Sequence, residues 1–153
     1  MPLWRQPLDK FNLGPAFGVV DAEHPNGHRG CDYNGFPAGT PLLAVADATV
    51  ALNQWSDALG HVIVLKVNRA PQLPFYFGYC HLESAPKLEV GAKVKIGQTV
   101  GHAGTTGSAS TGVHLHLTLS LTKLGVFSGA VKDAYSFLKE RVAAQNKKVA
   151  KKK

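Results

Sequence analysis

The stretch GVHLHLTLS at residues 112–120 sets His114 and His116 two positions apart in a run that alternates apolar and polar residues. Side chains alternate faces along a strand. Val113, Leu115, Leu117 and Leu119 would therefore fill a core, while His114, His116, Thr118 and Ser120 line the other face. Same-face neighbours stand roughly 7 Å apart. Two imidazoles at that spacing can serve one metal ion, or one can ligate while the other acts as a base. A solvated strand face would carry the same alternation. A second element, His28-Arg29-Gly30-Cys31-Asp32, pairs an imidazole with a carboxylate four residues on. Pro25, Gly27, Gly30 and Gly35 crowd it, which favours a tight loop entering a strand over a helix. Taken alone, a local hydrogen-bonded pair accounts for it. A third element, Tyr79-Cys80-His81-Leu82, closes an aromatic run and by itself reads as a rim histidine. Together the three are more specific. Two imidazoles and a carboxylate make a zinc site with one position left for water. No HExxH occurs, and Glu23, Glu83, Glu89 and Glu140 have no partnering histidine pattern. Proton handling would then fall to histidines that are not ligands.

The elements around these motifs are mostly short. The 16 glycines and nine prolines divide the chain into segments suited to strands and turns. Residues 17–20 read as a short strand in an extended lead-in, and Pro25-Asn26-Gly27 as a turn. Residues 42–52 (LLAVADATVAL) suit one or two strands, and 61–67 (HVIVLKV) one strand. Residues 68–74 read as a loop. Residues 75–82 (FYFGYCHL) are strand-like, with Gly78 as a candidate bulge. Glycine-spaced apolar pairs over 90–101 suggest compact hairpins, and 104–112 (GTTGSASTG) must be a loop. One helix is expected, over about 128–146. Val131, Ala134, Tyr135, Leu138 and Val142 form one apolar stripe, with Ser128 as cap and Asp133 in the first turn.

Bulk properties bound the rest. A chain of 153 residues, 44% hydrophobic and 18% charged, suits one globular domain over 1–146. The net charge of +7 sits mostly in five lysines (Lys147, Lys148, Lys151, Lys152, Lys153), without which the chain is only +2. Residues 147–153 are thus expected to be a disordered basic tail, available for attraction to a polyanion. Cys31 and Cys80 are too few for a disulfide scaffold and read as buried small apolar residues. A bond between them would require adjacent strands. Residues 1–6 (MPLWRQ) lack the apolar run of a signal peptide, and no stretch approaches a membrane span in length.

In several blocks, taken in order, the chain resembles the lysostaphin-type, or LytM-like, zinc peptidoglycan endopeptidases, metallopeptidase family twenty-three. The blocks are HRGCD at 28–32, PAGTPL at 37–42, AVADATV at 44–50, GHVIV at 60–64, YCHL at 79–82, 90–101, GTTG at 104–107 and TGVHLH at 111–116. The resemblance implies a mainly β fold: an antiparallel, sandwich-like sheet with a loop-lined groove and one C-terminal amphipathic helix. It also implies one zinc ion held by His28, Asp32 and His116, with His81 and His114 as the catalytic pair that handles protons. It assigns no role to His24, His61 or His102, which read as surface or loop histidines. Cys80 and Ala48 stand where the family often has glycine, and neither touches an expected ligand.

The expected substrate is peptidoglycan, cut in its peptide cross-links or stems by a monomeric enzyme, with the lysine tail drawn to anionic wall polymers. Neither nucleic acid nor membrane insertion is expected. With no export signal in view, a protein made in the cytoplasm and released to the wall through a membrane lesion, as a phage endolysin is, fits this pattern. A zinc-free wall-binding or regulatory module on the same fold is the alternative. A lipoyl- or biotin-carrier domain would need a modifiable lysine at a hairpin tip, and none has the flanking residues. Nucleic-acid binding would rest on the lysine tail alone.

Overall fold

A computed structural model describes residues 3–67 and 74–153. Its strands are β1 (Asn12–Leu13), β2 (Cys31–Asn34), β3 (Pro41–Leu43), β4 (Ala48–Ser56), β5 (Gly60–Val67), β6 (Phe75–Leu82), β7 (Lys93–Val94), β8 (Thr99–His102) and β9 (Leu115–Ser120). A short 3-10 helix (Lys123–Val126) and the helix α1 (Ala134–Lys151) follow. Seven strands form one antiparallel sheet in the order β1-β2-β9-β6-β5-β4-β7, and β3 pairs with β8 in a second sheet of two. The architecture is the expected mainly β one with a C-terminal helix.

The alternation of β9 decides its placement. Leu115, Leu117 and Leu119 are fully buried in the main core, which also takes Tyr33 from β2 and Phe77 and Tyr79 from β6. Burying such side chains stabilises the sheet by about 1.5–3 kcal/mol each. On the opposite face of β9, His116 stands between Asp32 of β2 and Cys80 of β6, each its direct cross-strand partner. This face carries a smaller apolar cluster of Leu52, Val62, Val64, Cys80 and Val126. Cys31 packs in the main core and Cys80 in the smaller cluster, with β9 between their strands. Both are therefore buried free thiols, and no disulfide joins them.

Several expectations are corrected. Residues 17–20 form no strand: 17 and 18 are a turn, which brings the chain back onto the segment before β2, with Gly18 N–H donating to His28 O at 2.8 Å. Residues 90–101 do not close on themselves as hairpins. β7 pairs with β4, and β8 with β3, so each pair of apolar residues serves a different sheet. Gly78 pairs regularly with Val64 and Thr118. The bulge instead lies beyond Tyr79, where His81 adopts a left-handed backbone with φ of 62°. The loop expected at 68–74 lies outside the described residues, except for Pro74.

Helix α1 starts later and ends later than its stripe suggests. Asp133 caps it, accepting hydrogen bonds from Ser136 N–H at 3.0 Å and from the Ser136 hydroxyl at 2.9 Å. Val131 precedes the helix because neighbouring Lys132 bridges to Leu119 of β9. Ala134 and Leu138 are buried, with Tyr135 and Val142 packed against the same core. Gln145 then ties the helix to the N-terminal segment, accepting from Leu3 N–H and Trp4 N–H and donating to Trp4 O. Beyond it, residues 146–153 are exposed, yet the helix continues to Lys151. Lysine and alanine are good helix formers, and cations in a last turn complement the helix dipole. Residues 147–151, expected to be disordered, are therefore helical. Among the described residues, no helix is long and apolar enough to cross a membrane.

Candidate active site

Asp32 and His116 lie on adjacent strands in direct register, so the sheet itself brings their side chains together. His28 arrives from the turn before β2. Gly30 lets that turn close: a Cβ there would lie 2.6 Å from Leu117 O and 2.8 Å from His116 Nε2. The three donor atoms then converge. His28 Nε2 lies 3.1 Å from His116 Nδ1 and 3.2 Å from Asp32 Oδ1, and His116 Nδ1 lies 3.0 Å from Asp32 Oδ1. The His28 Nδ1–H donates to Ala16 O at 3.1 Å. That bond leaves a lone pair on Nε2, as a ligating imidazole requires. The Asp32 carboxyl is subject to burial, which acts to raise it. Hydrogen bonds and charge from His116 and His28 outweigh burial and hold it well below the usual carboxylate range. The same pairing raises His28 against the opposing effect of burial, whereas burial lowers His116. Two imidazoles and an ionised carboxylate, nearly closed to solvent and within contact of one another, are a donor set that suits a divalent cation.

His81 and His114 stand beside this cluster. Their ring centroids are 4.7 Å apart, and that of His81 is 6.1 Å from His116. The left-handed backbone at His81 re-aims its side chain out of the strand's alternation, which a bulge permits. Its Nδ1–H donates to Thr106 O at 2.7 Å. Thr106 is itself fixed: its hydroxyl donates to Leu82 O at 2.6 Å, and its backbone packs on Gly60, where a Cβ would lie 2.5 Å from Thr106 O. Burial pushes His81 down to about 4, so its ring is neutral at neutral pH. His114 is held alike, its Nδ1–H donating to Gly112 O at 2.8 Å, and its Nε2 lies 3.9 Å from Asp32 Oδ2. Both rings thus have Nδ1 anchored on backbone carbonyls, which leaves Nε2 for chemistry.

These side chains lie in a groove of about 680 Å³, walled by residues 23–29 on one loop and by 109 and 111–114 on another, with Ser56, Leu59, Val126 and Phe127 also lining it. All five residues that the motifs singled out therefore meet in one cleft. His61 does not: at the start of β5 it pairs with Trp55, ring centroids 4.9 Å apart, outside the groove. His102 is exposed at the end of β8. His24, read as a loop histidine, lines the groove with its ring centroid 4.2 Å from that of His28. Arg29 also escapes the spacing argument. Its guanidinium donates to Gly125 O at 2.6 Å and Gly129 O at 2.7 Å, tying the turn that carries His28 to the segment that carries Val126 and Phe127. Only its position next to His28 could have drawn attention to it.

Comparison with known proteins agrees with this geometry. The chain is 34% identical over 121 residues to the peptidoglycan DD-endopeptidase ShyC of Vibrio cholerae, a match covering 73% of this chain and 25% of that one. It is 32% identical over 111 residues to the glycyl-glycine endopeptidase ALE-1 of Staphylococcus capitis, covering 71% of this chain and 29% of that one. The chain thus spans little more than a quarter of the length of these relatives. Its fold matches the catalytic domain of lysostaphin from Staphylococcus simulans with a TM-score of 0.71 at 29% identity, covering 84% of this chain and 92% of that domain. The sequence pattern of Peptidase family M23 spans residues 26–126, from the loop before His28 to the last residue of the 3-10 helix. On that match and on the convergence of its five motif residues, the chain belongs to peptidase family M23.

Proposed function

We propose that the protein is a zinc-dependent endopeptidase that hydrolyses peptide cross-links or stems of bacterial peptidoglycan. The carrying observation is the meeting of His28 Nε2, Asp32 Oδ1 and His116 Nδ1 within 3.2 Å of one another, beside two further imidazoles on a groove. In this reading those three residues hold the ion. A bound zinc would supply Lewis acidity, polarising a water molecule and lowering its pKa toward about 7.

The chain's own residues supply the rest. His81 and His114, each with Nδ1 held by a backbone carbonyl, present Nε2 to the groove and act as the acid–base pair. Between them they accept the proton lost by the attacking water and return it to the departing amine. A donor on either ring also stabilises the oxyanion that forms at the attacked carbonyl. Their anchorage on Thr106 O and Gly112 O keeps each ring from turning as its proton moves. The groove, walled by two loops, would suit an extended peptide with small side chains. ShyC and ALE-1 are named for different bonds, so either a D-alanyl cross-link or a glycine bridge is the target, and we favour the former. The lysine-rich end of α1 is free to draw the enzyme to anionic wall polymers. Release of a cytoplasmic enzyme through a membrane lesion, as in phage lysis, fits this pairing of groove and tail.

The test is metal analysis joined to product identification. Purified protein should carry one zinc per chain, and digestion of purified peptidoglycan should give fragments whose masses identify a cleaved peptide bond. Chelation should stop the digestion and zinc should restore it. A protein that binds walls without zinc and releases no fragments would be a binding module instead.

A further inference from the structure

The loop before His28 carries a feature that the five motif residues do not explain. Its ends pair through Gly18 N–H to His28 O and His28 N–H to Val19 O, both at 2.8 Å. At its turn, Asp21 Oδ1 accepts three hydrogen bonds: from Glu23 N–H at 3.0 Å, from His24 N–H at 2.7 Å and from His24 Nδ1–H at 2.9 Å. One carboxylate oxygen thus sets the turn and also the orientation and tautomer of the His24 ring. The ring packs on His28 and lines the groove.

The ring contacts run in series. His24 lies on His28 at 4.2 Å, His28 on His116 at 4.9 Å, His116 on His81 at 6.1 Å, and His81 on His114 at 4.7 Å. His24 is therefore at the end of the cluster away from the acid–base pair, with the metal ligands between. With Nδ1–H on Asp21, the polar atom left to a group in the groove is Nε2.

Resting on the endopeptidase reading, we infer that His24 is a substrate-binding residue whose Nε2 accepts a hydrogen bond from a backbone N–H of the bound peptide, on the side of the scissile bond away from His81 and His114. Asp21 is the positioning residue that aims it. The contact belongs to binding rather than to proton transfer, so it acts on affinity and leaves the chemical step alone.

The test is steady-state kinetics of the zinc-loaded protein on a soluble cross-linked peptidoglycan peptide, with zinc content measured for each variant. His24→Ala should raise KM about tenfold, the weight of one such hydrogen bond, with kcat within about twofold and zinc unchanged. His24→Gln, whose amide oxygen can stand near the place of Nε2, should recover most of the loss. Asp21→Ala should show part of the same rise, and the double variant should be no worse than His24→Ala. An unmoved KM in His24→Ala would overturn the inference. So would a joint fall of kcat and zinc content, which would make the ring a mere prop for His28. If the unaltered protein turns over and only KM fails to move, the endopeptidase reading stands; if it does not turn over, both fall.

Discussion

At the scale of single residues, the imidazoles differ in where they stand: His28 and His116 lie within 3.2 Å of Asp32 Oδ1, and His81 and His114 lie beside that cluster. His116 sits on β9, paired on both sides by β2 and β6 and in contact with Asp32 and His28, so His116→Ala should abolish both zinc binding and hydrolysis. His114→Ala should keep zinc, measured by metal analysis, and lose hydrolysis by on the order of 10²-fold or more, the usual weight of an acid–base group. Full activity in either variant would break the assignment. The pairing of His28 with Asp32 also predicts a pH dependence. Without an ion, the pair raises His28 above its ordinary value, so in acid a proton occupies the site. Metal binding must displace that proton, so affinity should weaken as pH falls, by about tenfold per unit for each proton released. Competition titrations with a chelator between pH 5 and pH 8 would read the slope, and a flat profile would exclude His28 as a ligand.

At the scale of elements, the groove depends on contacts between loops and sheet that hold the His81 and His114 rings in place. The β4–β5 turn meets the 104–112 loop at Gly60, which has φ of 69° and no room for a Cβ beside Thr106. Gly60→Ala would strain the backbone by about 1 kcal/mol or more and push Thr106 off its seat. Because Thr106 O anchors His81, this variant should lose activity out of proportion to its loss of stability, with zinc retained. Leu117→Ala is a contrasting case. It removes a fully buried side chain from the main core without touching the groove face. It should destabilise the protein by about 2–5 kcal/mol in denaturant unfolding, while the fraction that remains folded keeps its zinc.

At the scale of the whole molecule, charge is segregated from chemistry. The groove holds its carboxylate and imidazoles in one cleft, while the lysines Lys147, Lys148 and Lys151 lie on the exposed end of α1, with Lys152 and Lys153 beyond. That separation predicts two independent functions. Deleting residues 147–153 should leave turnover of soluble peptides intact and weaken activity on whole walls. The loss should be greatest at low salt, since the Debye length shrinks to about 10 Å at 0.1 M. Equal wall lysis by both forms across salt concentrations would remove any role for the lysines.

Local patterns carried much of this. The strict alternation of residues 113–120 placed leucines inward and histidines outward, because the two-residue period of a strand leaves no other arrangement with a buried core. Three short motifs were enough to single out five residues that meet in one cleft, whereas their division into ligands and acid–base pair came from the family resemblance and is a proposal. Distances among them were not legible. Asp32 meets His116 only because β2 and β9 pair in one register, and His28 joins them only because Gly30 leaves room for the turn. The reversed backbone at His81, the anchorage of each ring on a carbonyl and the stacking of His24 on His28 all arise from contacts between segments far apart in the chain. The end of α1 shows the same limit: a run of lysines predicts repulsion, but joined to a docked helix it is carried on as further helical turns. Propensity and periodicity act over a few residues, whereas a metal site needs donors from opposite ends of the chain to meet, and only packing of the whole sheet decides that.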